Sequence, residues 1–80
     1  MTSDDVLERL DTMLRDDFGV SAPITRAAHL RLDLGLDSLA LTDLAFLVKQ
    51  DFDLPAVSPE AFRGVTTVGQ LVDVIVAHGA

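Results

Sequence analysis

The residues best placed for chemistry stand in "LGLDSL", residues 34–39, where Ser38 follows Asp37 and is bracketed by Leu36 and Leu39. A serine here has three possible uses: a catalytic nucleophile, a handle for a group added by another protein, or the cap of a helix. A nucleophile needs a base within reach and donors for the oxyanion. The hydrolase elbow G-x-S-x-G is absent, because Asp37 precedes Ser38 and Gly35 lies three residues before it. The candidate bases are His29 and His78. Both read as solvated surface histidines, and His78 falls in the last turn of the final helix, where the dipole favours a cation. Two histidines without cysteine make no metal site. Asp4, Asp5, Asp11, Asp16 and Asp17 read as solvated helix surface. A small bundle has little room for a deep, dry cleft. The chain is therefore expected not to be an enzyme.

The elements that must hold Ser38 come from a chain of 80 residues, expected to form a single domain over 1–80. At this size folding buries only roughly 60–65% of the unfolded surface. With no cysteine, no disulfide supplements the core. The composition is 49% hydrophobic, without Trp or Tyr and with four Phe, which argues for a packed core despite a net charge of −7. Six scattered Lys and Arg give no basic stripe for nucleic acid and no attraction to an anionic membrane. An acidic chain is steered toward basic patches on partner proteins. No apolar run is long enough to span a bilayer. The start, "MTSDDVLERL", is acidic where an export signal would be basic, so a cytoplasmic protein is expected.

Three segments carry a helical period. The first is "TSDDVLERLDTMLRDDFG", with Ser3 as N-cap, Asp4 and Asp5 in the first turn, and Val6, Leu7, Leu10 and Leu14 facing inward. Gly19 suits its C-terminus. Residues 20–36 read as a long extended loop, pinned to the core by Ile24, Leu30, Leu32, Leu34 and Leu36. A loop of this length is often functional. The second helix begins near Asp37–Ser38 and runs to about Phe52, stopped by Asp53 and Pro55. "VSPEAFRG" then predicts a short helix of about two turns, with Ser58 as cap, Pro59 in the first position and Gly64 at the end. The last helix starts at Thr66 or Thr67 and carries Val68, Leu71, Val72 and Ile75 at helical spacing. The expected fold is all-α: a four-helix bundle of three longer helices and one short helix, with a long loop between helices 1 and 2. Capped helices at both ends suggest a free-standing protein.

The second helix has two apolar faces. At ~100° per residue, with Leu41 at zero, Leu44, Ala45, Val48 and Phe52 fall within ~60° and form a core stripe. Leu39 and Phe46 fall at ~160° and ~140°, nearly opposite. Thr42 and Asp43 lie beside them, with Lys49 and Gln50 further along. Exposed apolar residues are common, and the loop or the short helix could cover this face. The alternative is a strip that docks partners, with Phe46 as its aromatic anchor.

At "DLGLDSL" the sequence resembles the acyl carrier protein family, over almost the whole chain. The helix ending in "DFDLP" is similar to the family's second helix, and "VTTVGQLVDVI" to the start of its last helix. The resemblance implies 4′-phosphopantetheine on Ser38, transferred from coenzyme A in a Mg²⁺-dependent step by a phosphopantetheinyl transferase. Intermediates would ride as thioesters on the arm's thiol, and this chain has no cysteine of its own. A phosphodiester suits a helix N-terminus. By resemblance, Asp37 and Leu39 would help the transferase recognise Ser38, and Leu39, Thr42, Asp43 and Phe46 match enzyme-docking positions. Leu41, Leu44, Ala45, Phe62 and Ile75 would line an interior able to sheath an acyl chain. The implied partners are acyl- or aminoacyl-loading enzymes and ketosynthase- or acyltransferase-type enzymes, met by a monomer.

Carriers of primary fatty-acid synthesis usually bear several acids along the second helix. Here Ala40, Lys49 and Gln50 take such positions, leaving Asp43 and Asp51. Surface charge tunes encounter rate and partner choice. "DSLAL" is similar to discrete carriers of polyketide pathways, and a polyketide or related specialised pathway is the expected setting. The alternatives are an aminoacyl or peptidyl carrier, a fatty-acid carrier, and an unmodified helical interaction module in which Ser38 is only a cap.

Overall fold

The computed structural model describes residues 2–54 and 59–78. Three α-helices, α1 (Ser3–Phe18), α2 (Ser38–Asp51) and α3 (Val68–Ala77), are joined by the long loop 19–37 and by a segment holding one 3₁₀ turn, Pro59–Phe62. The fold is all-α. The predicted fourth helix of two turns is a single 3₁₀ turn, because Arg63 donates back to the Glu60 carbonyl (3.1 Å) and Val65 to Phe62 (3.3 Å) in the tighter pattern. Pro55 and Ser58, to which stop and start roles fell, lie outside the described residues.

The N-cap of α1 is Thr2 rather than Ser3. Thr2 Oγ1 accepts from the Asp5 N–H (3.2 Å), and the Asp5 carboxylate accepts from the Thr2 N–H (3.3 Å). This reciprocal box fixes the start one residue earlier than expected. At the other end Gly19 takes φ 65 and donates to Leu14 O.

Val6, Leu10 and Leu14 of α1, Val48 of α2, and Val68, Val72 and Ile75 of α3 are the fully enclosed side chains of the core. Met13 is buried beside them, while Leu7, expected in this face, only flanks the core. Arg9 ties α1 to the end of α2: it donates to Asp51 O (2.9 Å) and lies 4.7 Å above the Phe52 ring. α2 stops where Asp53 adopts φ 55.

The loop is pinned by backbone pairing as well as by leucines. His29 and Thr67 form an isolated antiparallel bridge. Leu30 N–H donates to Thr66 O (2.8 Å), and the Val68 and Gly69 N–H groups donate to Ala28 O (3.0 Å) and Arg26 O (2.9 Å). The loop thus closes the N-terminus of α3. Gly69 is needed for that approach, because a Cβ there would sit 2.9 Å from Arg26 O.

Beyond the bridge the chain coils instead of extending. Asp33 and Leu34 N–H donate to His29 O, Gly35 to Arg31 O and Leu36 to Leu30 O. The four alternating leucines therefore separate: Leu30 and Leu36 are buried, Leu34 is half-buried, and Leu32 is 82% exposed. Leu32 does not pin the loop. Gly35, at φ 75, turns the coil into α2.

Candidate functional site

Ser38 is the first residue of α2, and the cap is its neighbour. Asp37 has extended backbone, and its Oδ1 accepts from Ala40 N–H (2.8 Å) while its carbonyl accepts from Leu41 N–H (2.9 Å). Both residue types cap well, so the sequence could not decide between them. Ser38 is exposed, and its carbonyl accepts from Thr42 Oγ1 (3.0 Å). Among the described residues its hydroxyl has no hydrogen-bond partner, and neither does the N–H of Ser38 or of Leu39. The first turn of α2 thus offers a free hydroxyl beside two free amide donors at the positive end of a helix dipole, an arrangement that favours an attached phosphodiester.

Among the described residues His29 makes no hydrogen bond to Ser38, and it is not a plain solvated residue. It is half-buried, and its Nδ1 accepts from the N–H groups of Arg31 (3.2 Å) and Leu32 (3.1 Å). Asp33 Oδ2 accepts from His29 N–H (2.7 Å). These bonds staple the coil that delivers Leu36 and Asp37 to α2. His78 is exposed and bonds Val74 O through Nδ1 (2.8 Å) at the end of α3. Among the described residues no group of three His, Asp or Glu is arranged to hold a metal ion.

Down α2 the two faces separate as the helical period expects. Leu44 and Val48 are buried, with Phe52 just past the helix. Leu39 and Phe46 are 71% and 61% exposed, and Thr42 and Asp43 are exposed with them. Neither the loop nor the 3₁₀ turn covers this face.

Between the faces lie two apolar spaces. An inner pocket of about 70 Å³ is bounded by Leu41, Leu44, Ala45 and Phe62, joined by Leu30 and Leu71. Four residues expected around an acyl chain therefore meet, while Ile75, fully buried in the core, does not line this pocket. Leu30 and Leu71 went unassigned because the loop's docking onto α3 is a contact between distant parts of the sequence. An outer groove of about 340 Å³ shares Leu41, Ala45 and Phe62 with the pocket and adds Thr42, Phe46, Lys49 and Arg63.

The sequence profile described as the phosphopantetheine attachment site matches residues 8–75. The chain belongs to the acyl carrier protein family. It is 34% identical over 76 residues to acyl carrier protein 2 of Ralstonia nicotianae, covering 94% of this chain and 93% of that protein. It is 32% identical over 79 residues to an acyl carrier protein of Cyanidioschyzon merolae, covering 98% and 86%. As an acyl carrier protein the chain bears covalent 4′-phosphopantetheine, and it is a carrier rather than a catalyst. Family membership brings interaction with a phosphopantetheinyl transferase and with acyl-handling enzymes. The reading as an unmodified interaction module is set aside. Among the described residues no helix is long and apolar enough to cross a membrane.

Proposed function

We propose that this acyl carrier protein takes its arm on Ser38 and works as a cytoplasmic monomer in a polyketide or other specialised pathway. The observation that carries the attachment is the open first turn of α2, with an unpartnered Ser38 hydroxyl beside the free N–H groups of Ser38 and Leu39. When attached, the arm supplies a thiol that holds intermediates as thioesters. The chain's own residues do the rest. Asp37 holds the helix start in place through Ala40 N–H, so the hydroxyl faces solvent where a transferase can approach. The two amide donors stabilise the phosphate charge. Leu39 and Phe46, with Thr42 and Asp43 around them, form the strip that enzymes dock on, and Asp37 and Leu39 serve the transferase.

The inner pocket bounds the sheathing of cargo. Its ~70 Å³ holds roughly two water-sized groups at ~30 Å³ each. A short acyl chain enters without rearrangement, whereas a long one requires α2 and the 3₁₀ turn to part. Ile75 bounds the deeper space that such parting would open.

The specialised pathway is supported by the departure from an acidic second helix at Ala40, Lys49 and Gln50. Incubation with coenzyme A and a broad-specificity transferase tests attachment by mass spectrometry. Offering the loaded protein to panels of acyl- and aminoacyl-loading enzymes tests the pathway. Loading by acyl-type enzymes is expected, and loading solely by an amino-acid-adenylating enzyme would overturn that assignment.

A further inference from the structure

Cations are scarce in this chain, with six Lys and Arg against 13 acids, and three of them are occupied. Arg15 pairs with Asp11, Arg26 pairs with Asp73, and Arg9 is held by Asp51 O and the Phe52 ring. Among the described residues Arg31, Lys49 and Arg63 have neither an ion pair nor a side-chain hydrogen bond. Asp53 lines the neighbouring groove beside Lys49 without pairing to it. Two of these three, Lys49 and Arg63, line the same outer groove, whose remaining walls include Leu41, Ala45, Phe46 and Phe62. An apolar wall lowers the local dielectric, so an anion held there is attracted more strongly than in open water. The groove is therefore complementary to a ligand with a short apolar stem and an anionic end.

We propose that the groove binds acyl cargo ending in a carboxylate, carried on the protein's own arm, with the stem on Phe46 and Phe62 and the carboxylate between Lys49 and Arg63. This rests on Ser38 as the attachment site. The position of the groove selects a tethered occupant over a carboxylate from a partner protein. Its α2 wall runs from Leu41 to Lys49, three to eleven residues after Ser38, or ~5 to ~16 Å of helical rise. A tethered ligand meets a nearby site at an effective concentration of order millimolar, so even a weak ion pair is populated. The inner pocket, with its Leu and Phe lining, has no cation to offer. Acidic and fully apolar cargo are thereby sorted to two adjoining places, the acidic one on the surface.

The test loads the protein through coenzyme A thioesters with a glutaryl group and, separately, with an uncharged hexanoyl group of similar length. Mass spectrometry checks each adduct, and NMR then records the amide shifts. The glutaryl form is expected to shift the amides of Phe46, Lys49 and Arg63 relative to the unacylated arm, and raised salt should shrink those shifts. The hexanoyl form should leave them near their starting positions and shift Leu44 and Leu71 instead, as α2 and the 3₁₀ turn part to admit it to the inner pocket. A Lys49→Gln, Arg63→Gln double variant should lose the glutaryl-specific shifts while the rest of its spectrum stays native. Equal shifts from both groups, persistence in the double variant, or no shift from glutaryl would overturn the proposal. So would a glutamate-flanked leucine peptide that shifts these amides where the tethered glutaryl group does not, which would assign the groove to a partner. Absence of any adduct on Ser38 overturns the attachment site as well, whereas an adduct without carboxylate-specific shifts overturns this inference alone.

Discussion

The N-termini of α2 and α3 each begin on a side-chain cap and are left in opposite states. At α3, Thr67 caps Gln70, the Gln70 side chain returns to the N–H groups of Thr66 and Thr67, and the loop carbonyls of Ala28 and Arg26 take the N–H groups of Val68 and Gly69. Every donor of that first turn is used. At α2, Asp37 caps Ala40, and the N–H groups of Ser38 and Leu39 remain free among the described residues. One end is an anchor that holds a loop of 19 residues (19–37) to the core. The other has two amide donors with no protein partner among the described residues, next to an exposed hydroxyl. A helix end becomes available for chemistry when the fold withholds from it the partners it gives elsewhere.

That contrast can be broken from the closed side first. Gly69→Ala places a Cβ 2.9 Å from Arg26 O, and such overpacking is expected to cost about 1–3 kcal/mol, read as a lower urea midpoint. The protein that remains folded should still accept an arm. Caps come next. Thr67→Ala and Asp37→Ala should each cost about 1 kcal/mol in the same unfolding assay, but only Asp37→Ala should also slow transferase modification, because it alone loosens the turn that presents Ser38.

On the docking strip a small stability effect is expected beside a clear functional one. Phe46→Ala removes an exposed ring and should change stability by no more than about 0.5 kcal/mol, while partner enzymes use the loaded carrier less well. Unfolding of this variant would place Phe46 in the core and contradict the two-face reading of α2.

Much of this was legible along the chain. The faces of α2 follow from a period of 3.6 residues, so Leu44 and Val48 could be told from Leu39 and Phe46 without a structure. Helix starts were legible only to within a residue, because Thr2 and Ser3, or Asp37 and Ser38, are adjacent residues that cap about equally well. Leu30, Leu32, Leu34 and Leu36 look alike in sequence. Their fates diverge because His29 and Asp33 fold that stretch into a coil, a local competition between side chain and backbone that alternation does not reveal. The closure of α3 by Arg26 and Ala28 joins residues some forty positions apart, and no periodicity announces such pairing. Lys49 stood out as a departure from an acidic helix. Its companion Arg63 became visible only once the 3₁₀ turn was packed beside α2.

The attachment of the arm to Ser38 is tested most directly by fragment mass spectrometry on the wild type and on Ser38→Ala after incubation with coenzyme A and a transferase. Because Asp37 rather than Ser38 is the cap, the variant should unfold within about 0.5 kcal/mol of the wild type, so loss of modification cannot be laid to loss of fold. The expected result is one phosphopantetheine on the wild type, localised to the fragment containing Ser38, and none on the folded variant. An adduct of the same mass on Ser38→Ala, or a wild-type adduct on a fragment without Ser38, would contradict it.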